Sequence, residues 1–221
     1  MAVWDLDGFA LRRGQVQGRA CDDLIGVASI LATMVEMKRF RSRGEVIGVI
    51  SRAEEVGFVG ALAVADSRTL PKRSVVISLE TSKEIPGVKM GRGVIVRVGD
   101  RTSVFDSDAT RFLSDVGAEL KMAGGFEYQR ALMGGGSCEG TAYQSFGFQT
   151  AAVCVALGNY HNCGLQRRIE LAYVDLADAR SMVALLVSAA RRMGEYDVLV
   201  GKLSGRLGAL LKGAKRLRET A

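Results

Sequence analysis

Three apolar runs of this chain end on side chains that, with an aspartate pair ahead of a helical pattern, could together hold and use a divalent cation. VISRAEE ends on Glu54 and Glu55, VISLE on Glu80, and VCVALGNYH on His161, the one histidine of the sequence. Asp22 stands beside Asp23 where GRACDD meets a helical pattern. In an open α/β sheet, ligands bind beyond the carboxyl ends of the strands. Carboxylates converging there repel one another unless a cation neutralises them. Three or four oxygen donors with one imidazole suit zinc, cobalt or manganese, and two ions bridged by one carboxylate is a recurring hydrolytic arrangement. Adjacent residues of a strand point to opposite faces, but where the strand gives way to a loop both glutamates can reach one cavity. One of the pair can then bind metal while the other accepts a proton from water, whose pKa a bound divalent ion lowers to about 7.

Taken singly, each signal also has a plain structural reading. A glutamate pair after a strand reads as a solvated loop, and a lone histidine as a surface residue. Gly134 to Gly136 lack the lysine and serine of a phosphate loop, so they read as a turn. Cys138, next to Glu139, has no base nearby in the sequence and reads as a buried, inert thiol. Cys21, Cys138, Cys154 and Cys163 form no C-x-x-C pair, which excludes a zinc ribbon or a thioredoxin-type motif and leaves free thiols.

The elements that must position these residues follow from periodicity. Residues 1–20 read as short strands and turns punctuated by Gly8 and Gly14. Apolar residues from Leu24 to Met37 recur at helical spacing, predicting a helix over 22–40. EVIGVISRA (45–53), SVVISLE (74–80) and TAAVCVAL (150–157) read as buried strands, and FEYQRAL (126–132) as a strand after the Gly124-Gly125 turn. Helices are predicted over 57–68, 108–122 and 176–192, the last with Asp175 as N-cap. GVKMGRGVIVRVGD reads as a glycine-rich stretch, and MGGGSCEGTAYQSFG as a loop leading into a helix. The alternation predicts an α/β fold: a three-layer α/β/α sandwich with a mixed, mostly parallel sheet and helices on both faces. Residues 1–194 form the catalytic α/β domain in this reading, and 195–221 a basic amphipathic C-terminal helix.

The net charge of +6 gathers in that last segment, at Lys202, Arg206, Lys212, Lys215, Arg216 and Arg218. Val200, Leu203, Leu207, Leu210, Leu211, Ala214 and Leu217 form an apolar stripe along it. A docked terminal helix explains this better than nucleic acid or a membrane surface, which are not expected partners. No apolar run is long enough to span a bilayer and no secretory signal opens the chain, so the cytoplasm is the expected compartment.

GRACDDLIGVASIL, SRAEEVGFVGA, VVISLE, GRGVIVRV, GGGSCEGTA and GNYHNCG, in this order from Gly18 to about Arg191, resemble the cocatalytic zinc aminopeptidases. The resemblance is to the branch of glutamyl, or tetrahedral, aminopeptidases. It implies that Asp22 bridges two metals, that Glu54 is the general base, and that Glu55 and His161 complete one metal site. Glu80 would ligate the second. Gly135, Gly136, Ser137, Cys138 and Gly140 would line the substrate pocket. The implied cofactor is one or two divalent ions, zinc with cobalt or manganese as alternatives, and the implied partners are a short peptide substrate and further copies of the chain. The family also carries an early histidine, in an H-x-D-like motif, which this chain lacks. Its resemblance begins some twenty residues in, where the family has an N-terminal portion and an inserted lid domain. The expectation is therefore an N-terminally truncated catalytic domain: a metal-dependent aminopeptidase, or alternatively a catalytically impaired relative serving as scaffold or oligomer subunit.

Overall fold

The computed structural model describes residues 4–6, 8–40 and 45–214. In chain order the elements are β1 (Phe9–Arg12), β2 (Gln15–Gly18), α1 (Cys21–Arg39), α2 (Val59–Ser67), β3 (Val75–Lys83) and β4 (Val94–Gly99). There follow α3 (Ser107–Ala123), β5 (Tyr128–Leu132), α4 (Glu139–Ser145), β6 (Gln149–Leu157), β7 (Ala172–Asp175), α5 (Leu176–Arg192) and α6 (Tyr196–Gly213). The sequence of β6, QTAAVCVAL, offers small and apolar side chains to both faces, as a strand covered on both sides requires. It pairs parallel with β3 and antiparallel with β4, and β4 pairs parallel with β5, giving the order β3-β6-β4-β5.

Alternation along the strands assigns the layers. Ala151, Val153, Val155 and Leu157, with Val94 and Val96, pack against Phe112, Leu113 and Val116 of α3 and Met182, Leu185 and Ala189 of α5. Val76, of the alternate register, packs with Ala61 and Ala65 of α2 and Ala142 and Tyr143 of α4. The expected α/β sandwich with a mixed, mostly parallel sheet is therefore present. A second, antiparallel sheet, ordered β1-β2-β7, adjoins it through the Gly158–Tyr173 bridge.

Three readings need correction. Residues 45–53 form no strand, although their composition is β-branched and apolar. A strand exists by pairing its backbone. Here Gly48 is instead pressed against α1, where a Cβ would lie 2.7 Å from Ile30 Cγ2. Strand β4 was hidden by the glycines that flank it, and β7 by its length of four residues.

Helix α5 matches its predicted range, and Asp175 caps it, accepting from the N–H groups of Ala177 at 2.7 Å and Asp178 at 3.2 Å. Asp175→Ala should cost about 1 kcal/mol, read as a drop of a few degrees in thermal midpoint. Past a short 3₁₀ turn (Met193–Glu195), α6 docks on α3: the Tyr196 ring meets Phe112 edge-on at 5.2 Å, and Arg111 Nη2 donates to the Val200 carbonyl at 2.7 Å. Leu207, Leu210 and Leu211 are exposed. Lys215, Arg216, Leu217 and Arg218 lie outside the described residues. Among the described residues, no helix is long and apolar enough to cross a membrane.

Candidate metal centre

Asp22 and Asp23 fall inside the range of α1 but not in its helical conformation. Their φ/ψ pairs are −87°/106° and −122°/53°, so the regular helix starts after them and Asp22 is free to face the sheet edge. Asp23 Oδ1 accepts the Gly26 N–H at 2.9 Å, which is the work of a cap. Only glycine fits opposite it, since a Cβ at residue 26 would lie 2.0 Å from Asp23 Oδ2.

His161 is delivered by the loop after β6, in which Asn159, His161 and Asn162 have φ of 47°, 54° and 58°. Such left-handed backbone is costly outside glycine and persists only where the surroundings hold it. Here Asn159 Nδ2 donates to the Leu171 carbonyl at 2.9 Å and Asn162 Nδ2 to the Glu170 carbonyl at 3.2 Å. The Tyr160 ring stacks on the imidazole, centroids 3.9 Å apart. His161 Nε2 lies 3.8 Å from Asp22 Oδ2. Together Asp22, Glu55 and His161 offer donor atoms all within 4.8 Å of one another. Two carboxylates and one imidazole form a donor set that zinc accepts.

Glu54 and Glu80 do not join that cluster but line the same cavity, of about 690 Å³, as Asp22, Asp23, Glu55 and Glu139. Glu80 lies within β3, which continues to Lys83, and not at its end. Burial, then the charges of Glu55, Glu139 and Asp22, pushes Glu54 up to about 7. Burial likewise pushes Asp23 up to about 8 against its bond to Gly26, with Asp22, Glu139 and Glu54 adding to the rise. Glu80 is driven well above the carboxylate range by burial, an effect the Arg97 guanidinium opposes and Asp23, Asp22 and Glu54 reinforce. Burial raises Asp22, the Thr81 hydroxyl opposes the rise, Glu55 reinforces it and His161 opposes it. A cation among these acids would favour their ionised forms, and the oxygen and imidazole donors of Asp22, Glu55 and His161 are a set a divalent ion accepts. The residues present therefore fit a divalent ion.

The glycine loop is placed differently from expectation. Gly135, Gly136, Ser137, Cys138 and Gly140 do not line the cavity, whereas their neighbour Glu139 does, accepting a hydrogen bond from Ser51 Oγ. Cys138 is fully buried, and burial pushes its thiol up to about 12. Cys154 is buried with its thiol also at about 12, Cys21 is buried, and Cys163 is exposed. The loop is pinned by Asp100, a residue the sequence reading passed over. Asp100 is 5% exposed and accepts from Thr102 N at 2.7 Å, Ser103 N at 2.8 Å, Cys138 N at 3.0 Å and Thr141 Oγ1 at 2.7 Å. Burial alone would raise its pKa, but these four bonds outweigh burial and hold the carboxyl below the ordinary range. Asp100→Asn should cost about 2 kcal/mol at neutral pH, because charge-assisted bonds to buried donors are lost. A folded pKa below the unfolded one contributes stability that is full above the unfolded value, near 3.9 for aspartate, and lost as pH falls through the folded value. The gap between wild type and variant in denaturant titrations should therefore narrow as acid is added. The signal for Asp100 was in the sequence: an aspartate followed by Thr102 and Ser103 is an Asx-turn pattern. Arg97, 2% exposed inside the run VIVRVG, was signalled by being the lone charge in a buried strand.

The sequence model of the M42 glutamyl aminopeptidases matches residues 1–172. No curated protein matches the chain. Among solved structures, the fold is similar to a TET aminopeptidase from a marine-sediment Thaumarchaeota archaeon, with TM-score 0.72 and 19% identity over 86% of this chain and 54% of that one. It is also similar to Pyrococcus horikoshii TET1 peptidase, described as assembling into a tetrahedron or a large octahedral shell. Here the TM-score is 0.69 and the identity 24% over 82% of this chain and 52% of that one. A third likeness is to aminopeptidase I from Clostridium acetobutylicum, with TM-score 0.64 and 18% identity over 85% and 46% of the two chains. The chain spans about half the length of these solved relatives.

Proposed function

This chain belongs to the M42 glutamyl aminopeptidase family, and on that premise we propose that it is a metal-dependent hydrolase removing N-terminal residues from short peptides. The observation that carries the reading is the convergence of Asp22, Glu55 and His161 from three separate segments onto one point. They would hold one divalent ion, zinc with cobalt or manganese as alternatives, and Glu80 with Asp22 would hold a second where two are bound. When bound, the metal supplies Lewis acidity to the scissile carbonyl and to water.

The remaining roles belong to the protein's own groups. Glu54, on the same cavity wall, takes the proton of the attacking water and returns it to the leaving amine. A peptide's free N-terminal ammonium is attracted to a cavity lined by Glu139, which favours cleavage at a free end. The loop holding Gly135, Gly136, Ser137, Cys138 and Gly140 shapes the pocket by carrying Glu139. Free cysteines are in keeping with a cytoplasmic setting, and the shells described for Pyrococcus horikoshii TET1 support a homo-oligomer.

A second reading, a catalytically impaired relative acting as scaffold or subunit, is favoured by one observation: Glu80 stays outside the three-donor cluster. Dialysis against Zn²⁺, followed by metal analysis and assay on short peptides with free or acetylated N-termini, separates the two. We expect bound zinc and amino-acid release that chelation and N-acetylation both abolish. Bound zinc without release would leave the scaffold reading, and a chain that binds no zinc, cobalt or manganese would sink both metal assignments.

A further inference from the structure

The apolar stripe of α6 is only partly used by the domain it docks on. Tyr196 and Leu199 are buried and Val200 is half-buried, and the contacts with Phe112 and Arg111 of α3 lie in these first turns. The stripe then continues at helical spacing through Leu203, Leu207, Leu210 and Leu211. Leu207, Leu210 and Leu211 are 54%, 67% and 53% exposed, so docking stops halfway along the helix. A helix draws most of its stability from packing its apolar face, and Gly205, Gly208 and Gly213 weaken this half further. Single exposed leucines are ordinary, but three on one stripe form a patch that marks an interaction surface. Nothing among the described residues covers it.

The charge around the patch narrows the partner. No acidic residue falls between Asp197 and Glu219, whereas Lys202, Arg206, Lys212, Lys215, Arg216 and Arg218 do. Lys202 and Arg206 are exposed. A second copy carries the same net charge of +6 and would bring the same cations against these. A nucleic acid answers the charge but offers the leucines no apolar seat. An anionic bilayer answers both, with acyl chains beneath a layer of negative headgroups.

We propose that the distal half of α6 is a surface anchor for anionic phospholipid membranes. Leu207, Leu210 and Leu211 sink into the boundary between headgroups and acyl chains, and the cations meet the headgroup phosphates. The helix lies on the surface and does not cross it, since no described helix is long and apolar enough to span a bilayer. Its first turns stay docked on α3, which ties the domain to the membrane. The docking expected for a terminal helix thus accounts for half of α6, and the bilayer takes up the other half. The anchor uses no residue of the metal centre and stands whether or not that site turns over.

The test is co-sedimentation of the full chain with vesicles of phosphatidylcholine alone, or of an equal mixture with phosphatidylglycerol. Wild type should partition roughly tenfold or more in favour of the mixed vesicles, and added salt should weaken that partition. Leu207→Gln, Leu210→Gln and Leu211→Gln together should lower it by roughly tenfold or more. Lys202→Glu with Arg206→Glu should do the same. Both variants should keep the wild-type thermal midpoint, because the side chains they change are exposed. Wild type left in the supernatant with mixed vesicles overturns the proposal, and so does partition that the leucine variant retains. If wild type ignores vesicles but forms an assembly that the leucine variant breaks, a second copy covers the patch instead. If it ignores vesicles but binds duplex DNA through Lys202 and Arg206, the cations serve a nucleic acid, and the proposal fails.

Discussion

Glu54→Gln should lower metal-dependent peptide hydrolysis by roughly 10²–10⁴-fold, the usual worth of a positioned general base, while Zn²⁺ binds with unchanged stoichiometry. The substitution keeps the shape and removes the proton acceptor. It is informative because Glu54 and Glu55 are neighbours with different placements. Glu55 shares the three-donor cluster with Asp22 and His161, whereas Glu54 lines the cavity outside it. The same change at Glu55 should therefore lose metal and activity together. Glu54→Gln should lose activity alone, mostly in kcat. Activity within a few-fold of wild type would remove Glu54 from the role of base, and loss of zinc would make it a ligand.

Asp22→Asn should weaken Zn²⁺ affinity by more than about a hundredfold, measured by competition with a chromophoric chelator. Disturbing a group that merely orients a ligand costs about 10–100-fold, and here a charged donor itself is lost. Asp22 is also the donor that faces both partners, lying 3.8 Å from His161 Nε2 and raising Glu80 and Glu54 through its charge. Without it the two remaining donors, Glu55 and His161, stand on separate segments with nothing between them to share the ion. Circular dichroism should stay unchanged, because the α1 cap is made by Asp23. Unaltered affinity would shift the metal to Glu80 and Glu54 and overturn the assignment.

Legibility in the sequence followed the range of the forces involved. Helix α5 and its Asp175 cap were readable because a 3.6-residue period and a side chain reaching two residues ahead are local facts. The layer order was readable from β6, whose unbroken apolar run has no other use. Residues 45–53 misled because composition reports a preference for strand, whereas a strand is a relation to a second backbone. Among the site residues, Asp22, Glu55 and His161 meet as their positions at segment ends suggested. Whether Glu80 joins them was not legible, since β3 running on to Lys83 is a matter of pairing with β6. The path of the glycine loop was not legible for a similar reason: Asp100, nearly forty residues away, holds it by accepting from Cys138 N and Thr141 Oγ1.

The distribution of thiols has a practical consequence. Cys138 and Cys154 are buried with thiols near 12, Cys21 is buried, and Cys163 is exposed. A maleimide dye should therefore attach at one position in the native chain, two residues from His161 and on the loop held by Asn159 and Asn162. Without any engineered substitution, the protein carries an attachment point for a fluorescent reporter at the rim of the proposed metal site.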